Sequence, residues 1–149
     1  MSICRSLAVG AATLVATACG FGAVEVTPHA AAPGTEQDCA ELVAALPEVV
    51  SDAVRREVAP PSTVVAAWGQ PPIILRCGVP EPVGTDPTTS VLQVSMVEWL
   101  PVAGDGGTFF TTVGTSPVVE VSVPDDYSPE AQVLVDLAPA IRAEVRMAG

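Results

Sequence analysis

The chain has 149 residues, 49% of them hydrophobic and only 4% aromatic, with 17 acids against 6 basic residues for a net charge of -11. That length fits one small domain with an aliphatic core, and the acidic balance excludes nucleic acid, whose phosphates need clustered positive charge. With no Lys and with His29 as its only histidine, the chain has no P-loop, no Schiff-base lysine and no His-rich metal site, so no cofactor or metal is expected.

The first 19 residues read as a secretory signal peptide. Arg5 supplies the positive charge, Leu7 to Ala18 the apolar stretch, and Ala16-Thr17-Ala18 a small-residue cleavage site. The apolar stretch is shorter than the ~20 residues that span a bilayer. Cys19 follows the cleavage site at the place where the lipobox of bacterial lipoproteins carries its lipidated cysteine, with Ala16 standing where that motif usually has Leu. Lipidation of Cys19, which would make it the first mature residue and a membrane anchor, is the favoured reading. Plain cleavage with secretion and retention of the leader as an anchor are the alternatives. Residues 20–35, rich in Gly, Ala and Pro, look like a flexible tether in which His29 is solvated.

Residues 36–149 form the expected extracytoplasmic domain. A helix is expected from Thr35, with Thr35 and Asp38 as an approximate capping box and an apolar stripe through Cys39, Leu42, Val43, Leu46, Val50 and Val54. Pro47 should kink or restart it, with the second segment running through Glu57 and Arg55 and Arg56 at its negative end. Residues 59–72, with four prolines and Trp68, read as an ordered connection. Ile73 to Val79 alternate as a strand, and a loop follows over Pro80 to Ser90. Val91 to Val102 read as a strand with a bulge near Met96, Ala103 to Gly107 as a hairpin turn, Phe109 to Val113 as its partner, and Val118 to Val123 as a further strand. Ser128-Pro129-Glu130 reads as the start of a helix carrying Val133, Leu134, Leu137, Ile141 and Val145, with a kink at Pro139. The expected fold is α+β: an antiparallel sheet of about four strands with the N- and C-terminal helices on one face.

Of four cysteines, Cys4 belongs to the leader and Cys19 to the processing site, which leaves Cys39 and Cys77 to pair in an oxidising compartment. The helix presents Cys39 inward and the strand presents Cys77 inward, so the bond would staple helix to sheet. Cys-x-x-Cys spacing, which redox chemistry favours, is absent.

Cys39-Ala40-Glu41-Leu42, Leu46-Pro47 and above all the run from Ala66-Ala67-Trp68-Gly69-Gln70-Pro71-Pro72 to Leu75-Arg76-Cys77-Gly78 resemble a family of actinobacterial secreted or lipoprotein-like proteins defined as a domain of unknown function. The resemblance covers roughly residues 36–140. It implies export and a two-cysteine core, and no reaction.

No catalytic residues are assigned. Asp105, Asp125 and Asp126 lack calcium-loop spacing, and Ser116 lacks the second glycine of a nucleophile elbow and any domain histidine as base. Arg76 with Trp68 and Trp99 makes a candidate anion, carbohydrate or partner surface, against the plainer expectation that both Trp residues are buried and Arg76 pairs with a carboxylate. The favoured function is a non-catalytic binding or accessory module of the cell envelope, partnered by an unknown envelope protein or cell-wall component and by the membrane through Cys19. The alternative is a small carboxylate-dependent hydrolase acting on envelope glycans or peptides.

Overall fold

A computed structural model describes residues 21–82 and 90–147. Its elements in chain order are β1 (Val24–Glu25), α1 (Glu36–Ala45), β2 (Val49–Val50), β3 (Ala53–Arg56), β4 (Val58–Ala59), β5 (Val65–Trp68), β6 (Ile73–Cys77), β7 (Leu92–Val94), β8 (Val97–Gly104), β9 (Gly107–Thr112), β10 (Thr115–Ser116), β11 (Val119–Pro124), a 3-10 turn (Asp125–Tyr127), α2 (Ala131–Glu144) and β12 (Arg146–Met147). The fold is α+β, but the main sheet has eight strands rather than about four, in the order β2-β3-β5-β6-β11-β9-β8-β7. Every neighbouring pair in it is antiparallel. Two small ladders flank it, β1 with β4 in parallel and β10 with β12 antiparallel.

The core lies between the two helices, which pack on each other, and one face of the sheet. Alternation in β6 and β11 turns Ile73, Leu75 and Cys77, and Val119, Val121 and Val123, into that core. Leu42 from α1 and Val133, Leu134, Leu137 and Ile141 from α2 meet them there.

Several sequence expectations give way. The helix stops at Ala45, ahead of Pro47, and Val50 and Val54 belong to a β2-β3 hairpin instead of a second helical segment. Its turn, Ser51-Asp52, has φ of 47° and 65°, the consecutive positive values that a two-residue type I′ turn requires. Ser51 N donates to Asp136 Oδ2 at 2.7 Å, which ties this turn to α2. The phase switch near Met96 is likewise a turn, with φ of 50° and 66° at Ser95 and Met96, so one expected bulged strand is the β7-β8 hairpin. The connection over 59–72 holds strand β5, which is buried on both faces. Thr35 turns its hydroxyl to Ala32 O at 2.7 Å rather than capping α1. Ser128 lies ahead of α2, whose N-cap is Glu130, and the helix runs on through Pro139.

From Phe21 onward, the stretch expected to be a tether lies against the domain. Val24 N donates to Glu57 O at 2.8 Å and Val26 N to Ala59 O at 2.9 Å, and both valine side chains are buried. His29 Nε2 is 3.0 Å from Cys77 O in a partly buried contact, so this histidine is not a solvated linker residue. Gly78 makes the docking possible: at φ +77° an added Cβ would lie 2.6 Å from Ala31 Cβ and 2.7 Å from Ala31 Cα.

Candidate functional site

Cys39 and Cys77 are bonded, with 5.5 Å between their Cα atoms and 38 residues between them in sequence. The bond joins α1 to the end of β6, and both residues are fully buried. Cys19 lies outside the described residues.

The candidate surface of Trp68, Arg76 and Trp99 does not form. Trp68 is 0% exposed and so is Trp99, because the register sets Trp68 opposite Ile73, on the core side. Arg76 points to the other face, where its guanidinium is 3.5 Å from Glu120 of the neighbouring strand. The plainer expectation for these three side chains is the one the fold realises.

The distinctive run from Trp68 to Gly78 serves structure at nearly every position. Trp68 Nε1 donates to Pro47 O at 2.9 Å, just past the end of α1. Gly69 has φ +71° and no room for a side chain, since a Cβ there would run into the Tyr127 hydroxyl and Ala53. Tyr127 Oη donates to Pro71 O at 2.8 Å, and burial pushes its phenol up from the usual value, opposed by the Gln70 backbone and by Arg56. Arg55, on β3, sits over the Trp68 ring at 5.2 Å and donates to Val43 O at 3.0 Å and Leu46 O at 3.4 Å. It therefore supplies from outside the helix the positive charge that the last turn of α1 lacks. Burial draws its guanidinium below the ordinary value, opposed by Glu48.

A cleft of about 790 Å³ opens beside this turn, where Phe21, Val54, Arg56, Gln70 and Tyr127 converge. Arg56 donates to Gly69 O and to Gln70 Oε1, both at 2.7 Å, and to Gly22 O, and its guanidinium carbon lies 5.4 Å from the Phe21 ring centroid. Asp52, Glu57 and Asp126 add negative charge to the lining. Among the described residues no group of three or more His, Cys, Asp or Glu is placed to hold a metal ion. No local sequence pattern marks this cleft, because its walls come from four separate segments.

From the cleft, one row of side chains crosses the face away from the helices: Arg56, Ala67, Ile74, Ser122, Phe109 and Val102 are successive cross-strand partners. Phe109 and Val102 are its exposed end.

No curated protein and no solved structure matches the chain. Its residues 2–148 match the family described as "Protein of unknown function (DUF3515)". That match takes in both bonded cysteines, the Trp68 to Gly78 run and both helices, and the chain belongs to the DUF3515 family.

Proposed function

We propose that this protein is an extracytoplasmic, envelope-associated binding or accessory module without catalysis of its own, held at the outer face of the cytoplasmic membrane by a lipid on Cys19. The observation that carries the reading is the fully buried Cys39–Cys77 disulfide, because such a bond persists in oxidising compartments. The leader sequence and the cysteine at its end agree with it. The engagement of the Trp68 to Gly78 run in packing and hydrogen bonding speaks for a scaffold role for those residues. The surface left for a protein or cell-wall partner is the sheet row ending in Phe109 and Val102, in place of the two buried tryptophans.

A photo-crosslinking side chain at Val102 tests this in intact cells, with the same group at the exposed Val135 of α2 as reference. A discrete envelope product from position 102 and none from 135 is expected. The same products from both positions would overturn the assignment of the surface. Release of soluble fragments from envelope glycans or peptides by the purified protein, abolished by replacing a single carboxylate, would overturn the non-catalytic reading in favour of the hydrolase.

A further inference from the structure

We propose that the edge of the domain carrying Phe21, Val49 and Val54 lies against the phospholipid leaflet, so that the cleft opens onto the lipid headgroups. This rests on the reading that Cys19 bears the lipid, and goes beyond it by fixing which side of the domain faces the membrane. A lipoprotein on a loose tether presents every face in turn. Here the chain is docked from Val24 onward by its hydrogen bonds to Glu57 and Ala59 and by the burial of Val24 and Val26. Phe21 stands two residues beyond Cys19, and two residues reach at most about 7 Å. A lipid on Cys19 therefore meets the domain at Phe21.

The surface at that point suits a bilayer interface. Phe21 is 74% exposed, Val54 62% and Val49 50%. Val49 and Val54 are direct cross-strand partners and so project from the same side of their hairpin. Phe21 lies over the Arg56 guanidinium, which sets an apolar ring that can enter the acyl boundary beside a cation that can reach a phosphate. Asp52, Glu57 and Asp126 line the cleft, and because charged carboxylates are costly in the acyl region the contact is a shallow one. The rest of the chain, strongly acidic overall, has no affinity of its own for an anionic surface, so the anchor and this patch act together.

The test uses the mature lipidated protein, which begins at Cys19, in phosphatidylcholine vesicles containing a headgroup nitroxide lipid. A thiol-directed fluorophore is placed at Val54→Cys, or at Gln93→Cys on β7. Gln93 is exposed and six inter-strand spacings away, roughly 30 Å across the sheet. Every variant also carries Cys4→Ser, so the label has one target, since Cys39 and Cys77 are bonded and a lipidated Cys19 has no free thiol. Quenching several-fold stronger at position 54 than at 93 is expected, reduced when Phe21→Glu is added and abolished with Cys19→Ala. Equal quenching at the two positions, or stronger quenching at 93, with the lipid in place overturns the orientation while the anchor stands. A wild-type chain recovered soluble and unmodified overturns the anchor, and the orientation with it.

Discussion

Removing the Cys39–Cys77 bond by the double change Cys39→Ala/Cys77→Ala should cost much of the stability of the domain. The bond closes a loop of 38 residues, and the loss of loop-closure entropy in the unfolded chain corresponds to about 4 kcal/mol on the chain-entropy scale. Strands β2, β3, β5 and β6 lie inside the closed loop, so the constraint acts on half of the eight-stranded main sheet. A domain of this size has ~5–15 kcal/mol in total. At a urea m-value of about 1.5 kcal/mol per M, the midpoint should fall by roughly 2.5 M. Equilibrium urea unfolding followed by tryptophan fluorescence reads this directly, because Trp68 and Trp99 are both fully buried. The same burial predicts that reduction of the wild-type bond by dithiothreitol in native buffer waits on unfolding and accelerates with urea. A midpoint shift below about 0.5 M, or fast reduction independent of urea, would refute the reasoning.

Further outcomes follow from the same contacts. Gly78→Ala should destabilise by about 2–4 kcal/mol, combining the left-handed backbone penalty with a clash against Ala31. Gly106→Ala, at a similar φ with open space around it, should cost only about 1–2 kcal/mol, and equal losses in thermal melts would argue against docking of residues 31–32. Arg55→Met removes the two hydrogen bonds to the end of α1 and should cost about 1–3 kcal/mol in urea unfolding, with Arg55→Lys recovering only part because Lys lacks the planar fork. Tyr127 is the only tyrosine, so its phenolate absorbance titrates one site: the midpoint should lie above ~10 in the folded protein and return to ~10 in denaturant. Because the folded value is raised, this contribution to stability is whole below pH ~10 and is lost as pH climbs through the folded value. A folded midpoint at or below the denatured one contradicts the burial of the phenol.

The parts of this fold that the sequence announces are those where one local rule acts alone. Ile73 to Cys77 and Val119 to Val123 alternate cleanly because one of their faces meets the helices, and the glycines of the 104–107 turn mark the β8-β9 hairpin. The disulfide is legible by elimination among four cysteines. The hairpins at Ser51-Asp52 and Ser95-Met96 are hidden because residues other than glycine take positive φ there. In the first of them, Val50 and Val54 keep a helical spacing by coincidence. Strand β5 shows no alternation since both of its faces are buried. The cleft and the sheet row exist only in the tertiary register, which sets Arg56 beside Phe21 on one side and Ala67 on the other. The burial of Trp68 follows from its size, since a large ring beside glycine and prolines is expected to be covered, and Gly69 makes space beside it for Tyr127.

The most direct measurement is the mass of the N-terminal peptide of the protein extracted from the membranes of its native cells. A mature chain that begins at Cys19 and carries a diacylglyceryl group is predicted, with the unmodified form appearing only in Cys19→Ala. A wild-type chain found outside the membrane fraction, with Cys19 unmodified or the leader intact, would contradict it.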